Sequence, residues 1–513
     1  MEIFKNTAVI GVCTILSRVS GFLRDLFFAK YLGAGLSSEA FLVALRIPNF
    51  FRNFLAEGVF YSSFVPLLSG ELAKNGETDR DFVKRFSQNI FSLALYFLLI
   101  FTIALEMAMP IVVKAIAPAF SGDFQKYSLT VKLSRITFPF LIIISMSNIL
   151  TGVLNCFGKF VAGSLTPIII NLSFIFFSIV AAAFNKSVAF ALSYALLIGG
   201  TIEFICLFYF TAKSGTLIYP KTVTFDALTK NFLKLFLNGA IAISFTQLSG
   251  LINSITASYF LGAIAYIYYA DRLIQLPIAL IGTAISRSAL PVLSKKTTLR
   301  SEDRFDLEEN ILFYALFFSA PCAIGLFLLA PSAVPFLFQG GMFLERDSAE
   351  VIRCVKILSL ATPNYILIKI FDTIFFANGD TATPVFSSMV SLASNIIFNY
   401  ALTRYFGYGG ILISTLISAS LNVSFLIFFI WKKKYMRLSR KFFINLLKLI
   451  YPILFMILIL TMGNKISGPN AGKLPLFLKL LLLGGLSGIV YLGLSLILGL
   501  INLNFFRKKY KKV

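Results

Sequence analysis

The sequence predicts an all-α protein that crosses a membrane many times. Of its 513 residues, 58% are hydrophobic and only 13% are charged, and its mean hydropathy is +0.85. A soluble chain of this length would carry far more charge on its surface. Long apolar runs recur along the chain, and each can cross a bilayer as a helix of about 20 residues.

Counting these runs gives about fourteen transmembrane helices. The loops between them alternate between many and few basic residues. The segments with many basic residues include the loops with Lys84 and Arg85 and with Lys213 and Lys221, and the C-terminal tail Arg507–Lys512. One of the loops with few basic residues contains only Lys126. Because loops rich in Lys and Arg stay in the cytoplasm, we expect a multi-pass protein with both termini cytoplasmic. This distribution accounts for the net charge of +23 without a basic soluble domain, so we expect no nucleic-acid partner.

An internal repeat predicts the arrangement of these helices. Short motifs recur in the same order at an offset of 225 to 229 residues. The pairs are Ser20-Gly21 with Ser249-Gly250, Leu32-Gly33-Ala34 with Leu261-Gly262-Ala263, Ala44-Leu45-Arg46 with Ala270-Asp271-Arg272, and Pro66 and Ser69 with Pro291 and Ser294. A weaker echo links Gly158 and Pro167 with Gly379 and Pro384. We therefore expect two six-helix lobes, residues 1–215 and 216–435, related by a pseudo-two-fold axis along the membrane normal. Residues 436–513 then hold two extra C-terminal helices and a basic tail.

The composition also excludes several kinds of chemistry. The chain has no histidine, which is the commonest metal ligand and general base. Its five cysteines are scattered and form no CxxC pair, so neither a zinc site nor a disulfide framework is indicated. We expect a transporter and not an enzyme, with no cofactor and no metal site.

The first two predicted helices carry an unusual set of charges among long apolar runs. The set consists of Arg18, Arg24, Asp25, Glu39, Arg46, Arg52 and Glu57. A charge near mid-bilayer is costly, so such residues usually face a protein interior or a wet cavity. Four arginines against three carboxylates leave this interior positive, which suits an anion. Phosphate fits best, because guanidinium binds phosphate oxygens in a fork geometry and keeps its charge when buried.

Helical geometry makes specific predictions for these charges. Adjacent residues on a helix point about 100° apart, so we expect Arg24 and Asp25 not to share one face. Arg24 could then hold a phosphate while Asp25 pairs with another arginine, and a structural ion pair between the two is the alternative. Arg46 and Arg52 are six residues apart and should also face different directions.

The repeat places Arg272 where the first lobe has Arg46, so we expect Arg272 to face the first lobe. Its alternative is an ion pair with the neighbouring Asp271. Arg18 could be purely structural near a cytoplasmic gate, and Glu57 could cap or pair within the second helix.

Several segments resemble one known family. They are SRVSGFLRD, LGAG, LRIPNFFRNFLAEG, FVPLLS, YYADRLIQLP and NGDTATP. The chain resembles the MurJ/MviN family, the lipid II flippases of bacterial peptidoglycan synthesis, within the multidrug/oligosaccharidyl-lipid/polysaccharide exporter superfamily. The resemblance implies transfer of an undecaprenyl-diphosphate-linked disaccharide-pentapeptide from the inner to the outer leaflet of the bacterial inner membrane. It also implies roles in cell wall biogenesis and cell shape, and a groove for the polyprenyl tail formed by the two extra helices.

The resemblance also assigns residues. The substrate-binding arginines of the family match Arg18, Arg24, Arg52 and Arg272. The supporting charges are Asp25, Glu39, Arg46, Glu57 and Asp271, with Glu39 where the family more often has Asp. A sodium site known in some members would fall on Asn253, Asn395, Asn399, Ile411 and Thr415. Acids expected at two of these positions are Asn here, which removes the charge that would hold sodium, so coupling to membrane potential or to protons stays open.

Other functions remain as alternatives. A flippase for another polyprenyl-linked glycan would need the same diphosphate site, whereas a drug exporter of the superfamily that carries cations should have an acidic cavity. A membrane enzyme acting on polyprenyl phosphate would need clustered catalytic acids or histidines, and a non-transporting scaffold would not explain buried arginines. The expected partners are lipid II and membrane lipids, with cell-wall synthesis enzymes as further candidates.

Overall fold

The structure is a computed structural model that describes residues 2–55, 63–68, 70, 80–294, 301–466 and 473–501. Glu57 and the basic residues of the C-terminal tail lie outside the described residues. The chain divides into two compact units, residues 1–265 with 340–343 and residues 266–339 with 344–513.

Helices dominate the first unit. They are α1 (Glu2–Leu32), α2 (Leu36–Leu55), α3 (Arg80–Met107), α4 (Met109–Ile116), α5 (Phe124–Thr137), α6 (Phe140–Cys156), α7 (Phe160–Ala183), α8 (Val188–Lys213) and α9 (Ala227–Ala257). Pro118–Gly122 forms a 3-10 turn before α5.

The second unit is also helical. Its helices are α10 (Ala263–Pro277), which begins at the end of the first unit, α11 (Thr283–Ser294), α12 (Ser301–Phe338), α13 (Glu345–Ser359), α14 (Thr362–Ala377), α15 (Ala382–Phe406), α16 (Gly409–Lys432), α17 (Arg440–Ile466) and α18 (Lys473–Ile497). A π-helical turn, Ile278–Gly282, joins α10 to α11 directly after Pro277.

The predicted membrane-spanning, all-α class is confirmed. Among the described residues, ten helical stretches are long and apolar enough to cross a membrane, or eleven if the bent pair α13–α14 is one span. Helices α1, α2 and α9 are not among the ten, so the number of about fourteen spans stays a prediction. The two-lobe symmetry and the domain boundaries also stay predictions.

Aromatic rings and small residues pack the first unit. The Phe28 ring on α1 lies edge-on to Phe41 on α2 and to Phe174 on α7, with centroids 5.6 and 5.3 Å apart. Gly199 lets α8 approach α7, because a Cβ there would lie 2.9 Å from the Ser173 Cβ. Small residues allow such close approach between membrane helices. In a membrane, helices associate through van der Waals packing, because the hydrophobic effect that drives association in water is missing.

The two C-terminal helices pack against α12 in the second unit. The Tyr491 hydroxyl on α18 donates to the Phe317 carbonyl oxygen at 2.6 Å, and the Asn464 amide on α17 donates to the Leu328 carbonyl oxygen at 2.8 Å. Their other faces are exposed and largely apolar, with aliphatic and aromatic side chains. Exposed side chains include Leu447, Leu454, Leu458, Leu478, Leu481, Leu482, Ile489 and Leu492.

Four glycines that the sequence pairs across the repeat adopt left-handed backbone conformations. Gly33 and Gly262 have φ values of 68° and 78°, and Gly158 and Gly379 have 70° and 75°. Gly33, Gly158 and Gly379 each follow a helix, where a positive φ ends the helix with little strain only if the residue lacks a Cβ, whereas Gly262 lies directly before α10. Gly158 and Gly379 make the same kind of turn, with the same pattern of backbone hydrogen bonds to the preceding helix.

Candidate substrate-binding site

Arg24 on α1 is the centre of a polar cluster in the first unit. Its Nε and Nη2 atoms donate to Asp25 Oδ1 at 3.0 and 2.9 Å, and its Nη1 atom donates to Asn171 Oδ1 at 3.0 Å. The Arg24 side chain keeps 18% of its surface exposed, whereas that of Asp25 keeps 3%. A charged arginine thus lies at the edge of a polar site among apolar helices.

The expectation that Arg24 and Asp25 do not share a face is wrong. The 100° rule describes the direction of Cβ atoms, but the guanidinium lies several bonds beyond Cβ. The long Arg24 side chain bends sideways and reaches the carboxylate of its neighbour. The alternative of an ion pair between the two is the one that the structure contains.

Asn171 on α7 binds the Nη1 atom of Arg24, on the side of the guanidinium away from Asp25. Its amide nitrogen donates to Ser20 Oγ at 3.1 Å and lies 3.3 Å from the Ser17 carbonyl oxygen, leaving its own oxygen for Arg24. Gly21 packs beside this amide, and a Cβ there would make an ordinary contact of 3.4 Å with Asn171 Nδ2. Ser20 therefore supplies the hydrogen bond of the Ser20-Gly21 motif to α7. The sequence analysis missed Asn171, although an asparagine within an apolar span was a signal.

Aromatic rings line the apolar side of the guanidinium. The Arg24 Cζ atom lies 5.5 Å from the centre of the Phe28 ring and 5.8 Å from that of Phe174. These contacts hold the planar group by cation–π attraction, while Asp25 supplies a compensating negative charge. A phosphate that reaches the exposed part of Arg24 would compete with Asp25 for its donors.

The other predicted arginines of the first unit occupy different environments. Arg18 is exposed on α1, and Arg46 and Arg52 are half-buried on α2. Directly after Arg52, the Asn53 amide donates to Gln247 Oε1 on α9 at 2.9 Å.

Glu39 has a partner that the sequence analysis did not assign. Its Oε2 atom accepts a hydrogen bond from Lys126 Nζ at 2.6 Å, and its Oε1 atom accepts one from the Ile264 backbone N–H at 3.2 Å. Both side chains of the ion pair are buried. Lys126 lies in the first turn of α5, where Asp123 caps its backbone N–H, and not in an open loop.

In the second unit, Arg272 lies on α10 and is half-buried. Its guanidinium carbon lies 4.4 Å from the centre of the Tyr268 ring, one turn earlier on the same helix. The adjacent Asp271 accepts a hydrogen bond from the Gln275 amide at 2.5 Å. The expectation that Arg272 faces the first lobe stays a prediction.

The positions matching the sodium site offer neutral oxygens that already accept protein hydrogen bonds. Asn399 Nδ2 donates to Asn395 Oδ1 at 3.2 Å, and Ser414 Oγ donates to Asn399 Oδ1 at 2.9 Å. The Ile411 carbonyl oxygen accepts from Thr415 Oγ1 at 2.8 Å. Asn253, the remaining position, is half-buried on α9 in the first unit. Without a carboxylate, this group fits a hydrogen-bonded amide cluster better than a cation site, and the absence of sodium stays a prediction.

The helices that are long and apolar enough to cross a membrane define the class of polytopic membrane proteins. The family model described as "Lipid II flippase MurJ" matches residues 28–481. The chain therefore belongs to the lipid II flippase MurJ family, whose members are transporters and not enzymes.

Similar proteins from two bacteria agree with this assignment. The chain is 32% identical over 429 residues to the probable lipid II flippase MurJ of Rhizobium tropici, covering 82% of this chain and 80% of the relative. It is 30% identical over 513 residues to the probable lipid II flippase MurJ of Buchnera aphidicola subsp. Acyrthosiphon pisum, covering 99% and 100%.

Two solved structures show the same fold. A lipid II flippase MurJ in an inward closed conformation aligns with a TM-score of 0.80 at 23% identity, covering 96% of this chain and 98% of that chain. An inward-facing multidrug resistance MATE family transporter of the MOP superfamily aligns with a TM-score of 0.65 at 16% identity, covering 81% and 94%.

Proposed function

We propose that this protein is a lipid II flippase. It moves the undecaprenyl-diphosphate-linked disaccharide-pentapeptide from the inner to the outer leaflet of the bacterial cytoplasmic membrane. The observation that carries the proposal is the family match over residues 28–481. The partly exposed Arg24 guanidinium supports it, because a diphosphate carrier needs a cation that stays charged inside the membrane.

The physical task is to carry a diphosphate and a sugar–peptide head through hydrocarbon. An unpaired charge in the bilayer centre costs at least several kcal/mol, and a bare diphosphate more. Arginine guanidinium groups replace the lost hydration with charge-assisted hydrogen bonds. Arg24, with Arg18, Arg52 and Arg272, performs this role in a wet cavity, and the protein works by alternating access.

Asp25 gives the site a means of release. Its carboxylate already binds two of the Arg24 nitrogens, so it competes with the substrate phosphate for the same donors. Binding that is too tight would trap the diphosphate halfway. The ion pair therefore weakens substrate binding enough for the head to leave on the outer side.

The polyprenyl tail stays in contact with the lipid phase. The exposed aliphatic side chains of α17 and α18, such as Leu454 and Leu482, offer an apolar surface along which it can lie. Coupling to membrane potential or to protons stays open, and association with cell-wall synthesis enzymes stays a prediction.

Depletion of the protein in its own cells tests the function. Outer-leaflet lipid II would be assayed by its cleavage by an externally added hydrolase, and a second polyprenyl-linked glycan would be assayed in the same cells. The proposal predicts that lipid II becomes inaccessible and that the wild-type chain restores its cleavage. Unchanged lipid II cleavage with loss of the other glycan would show that the chain transports that glycan instead.

A further inference from the structure

The connection between α8 and α9 is an extended segment with an unusual set of contacts. Residues 214–226, called the strap below, contain no helix and run from Lys213 at the end of α8 to Asp226 at the start of α9. Asp226 caps α9, since its side chain accepts from the Thr229 backbone N–H at 2.7 Å. By the loop charges, the strap belongs to the side predicted to be cytoplasmic.

Polar side chains of α3 satisfy the backbone of the strap. Asn89 makes two hydrogen bonds with Thr224, accepting from its N–H at 2.7 Å and donating to its carbonyl oxygen at 2.6 Å. Three further bonds run from Gln88 Nε2 to the Leu217 oxygen (3.1 Å), from the Lys221 N–H to Ser92 Oγ (2.7 Å) and from the Tyr96 hydroxyl to the Lys221 oxygen (3.4 Å). Non-helical backbone near a bilayer needs such partners, because lipid offers none.

These contacts also fix which side chains point outward. Along the first part of the strap, Thr216 and Ile218 are buried, whereas Leu217 and Tyr219 are each 42% exposed. This alternation is that of an extended chain with one face on protein. Further along, Phe225 is 58% exposed. The strap therefore exposes three large apolar or aromatic side chains, although loops usually expose polar groups, and Lys221, Thr222, Thr224 and Asp226 are exposed beside them.

Lysines accompany the exposed tyrosines. Lys221 Nζ lies 5.3 Å from the centre of the Tyr219 ring, and Lys213 Nζ lies 6.0 Å from that of Tyr209 in the last turn of α8. Tyr209 is itself 58% exposed. A tyrosine ring at the level of the headgroups, with a lysine extending from it, matches the chemistry of a phospholipid boundary that carries negative charge.

We propose that the strap binds anionic phospholipid headgroups of the adjacent leaflet. Leu217, Tyr219 and Phe225 enter the upper acyl region, while Lys213 and Lys221 contact the phosphates. The bonds from Gln88, Asn89 and Ser92 make this surface rigid before lipid arrives, so little ordering entropy opposes binding. The contact would hold the connection between two transmembrane helices against the surface of a membrane with anionic lipid and shield its backbone from water.

Fluorescence quenching in nanodiscs tests the proposal on the full-length chain. Tyr219→Trp is placed in a Trp431→Phe background, which removes the only natural tryptophan. Brominated phosphatidylglycerol or brominated phosphatidylcholine is then added at equal mole fraction. We expect stronger quenching by phosphatidylglycerol, with a preference on the order of fivefold for each lysine that contacts the anionic surface.

Two charge variants make the test specific. In the reporter chain, Lys213→Gln with Lys221→Gln should abolish the preference for phosphatidylglycerol. Lys432→Gln with Lys434→Gln removes the same charge beside α16, on the side also predicted to be cytoplasmic, and should leave the preference unchanged. Equal quenching by both lipids, or weak quenching by both because protein or water covers the strap, would overturn the proposal.

Hydrogen exchange of the unmodified chain gives an independent measurement if a variant fails to fold. Peptides covering residues 214–226 should exchange more slowly in nanodiscs with phosphatidylglycerol than in phosphatidylcholine alone. Equal exchange in the two lipids would also overturn the proposal.

Discussion

Lys126 Nζ lies 2.6 Å from Glu39 Oε2, and both side chains are buried. The pair joins the first turn of α5 to the first turn of α2. The second Glu39 oxygen accepts from the Ile264 N–H, so the same carboxylate also caps the start of α10. Lys126 Nζ lies 3.9 Å from the centre of the Phe120 ring, which completes a closed environment for the ammonium group.

Removing one member of this pair should destabilise the first unit strongly. Lys126→Met leaves the Glu39 carboxylate buried without its cation, and such a change costs about 3–5 kcal/mol. The midpoint of thermal unfolding of the purified chain in nanodiscs measures the loss.

The control for Lys126→Met is the double variant Lys126→Met with Glu39→Gln. It removes both charges and keeps an oxygen for the Ile264 N–H, so much of the lost stability should return. Lys126→Arg keeps the charge and should lose less than Lys126→Met. A double variant no more stable than Lys126→Met alone would contradict the role of the ion pair.

Asp25 should weaken the binding of diphosphate by Arg24. Asp25→Asn removes the competing charge, so affinity for an undecaprenyl diphosphate should rise by about tenfold, or about 1.4 kcal/mol, while transport slows. Arg24→Ala should lower the affinity. Native mass spectrometry of the purified chain with added lipid measures both effects.

The matched control for Asp25→Asn is Asp226→Asn. It removes one carboxylate from the same unit, and asparagine caps a helix as well as aspartate does. Its affinity should stay at the wild-type value. Loss of binding in Asp25→Asn as large as in Arg24→Ala would show that Asp25 positions the arginine and does not compete with substrate.

Gly33 should be far less tolerant of alanine than Gly158. Both have a positive φ, so alanine costs about 1–2 kcal/mol at either position. A Cβ at Gly33 would lie 2.5 Å from the Met342 carbonyl oxygen, whereas Gly158 has open space around it. Gly33→Ala should therefore separate residues 340–343 from α1, where the Met342 N–H donates to the Lys30 oxygen.

Hydrogen exchange at residues 340–343 measures this separation. Exchange should rise in Gly33→Ala and stay at the wild-type level in Gly158→Ala. Equal exchange in the two variants would mean that the contact with Met342 is not what prevents a side chain at position 33.

The Asp380–Lys433 contact should make the thermal stability of the chain depend on pH. Burial raises the pKa of the Asp380 carboxyl, but hydrogen bonds from Lys433 and Thr383 and the Lys433 charge outweigh it, so the pKa lies below its ordinary 3.8. The Asp380 pKa is lower in the folded chain than in the unfolded chain, where it is about 3.9. The ionised carboxylate therefore stabilises the folded chain above about pH 3.9, and this stabilisation is lost as the pH falls through the folded pKa.

Thermal unfolding of wild type and Asp380→Asn at a series of pH values checks this sign. The wild type should be the more stable chain near pH 7, and the gap should close below about pH 4. Lys433→Met should weaken the same dependence on pH. A constant gap across the series would contradict the assignment.

The sequence predicted the membrane fold and singled out Arg24 as a candidate because both signals are local. A hydrophobic run and a charge within it can be read without knowing the tertiary contacts. The conformation of Arg24 could not be read in this way. A helical projection gives the direction of its Cβ, but not the point where its guanidinium ends.

The partners of the charged residues are tertiary contacts, and the sequence did not reveal them. Lys126 is 87 residues from Glu39, and Asn171 is 147 residues from Arg24. The sequence analysis placed Lys126 in a loop with few basic residues, because it did not identify Asp123 as the cap at the start of α5. The contacts of the strap with α3 likewise depend on neutral polar residues within an apolar helix.

The most direct test of the central claim is complementation of depleted cells with arginine variants, scored by hydrolase cleavage of outer-leaflet lipid II. The account predicts that Arg24→Ala and Arg272→Ala fail to restore cleavage although the variants reach the membrane at wild-type levels. Arg437→Ala, which removes an exposed arginine beside α17, should restore it fully. Restoration of cleavage by both Arg24→Ala and Arg272→Ala would contradict an arginine site for the diphosphate.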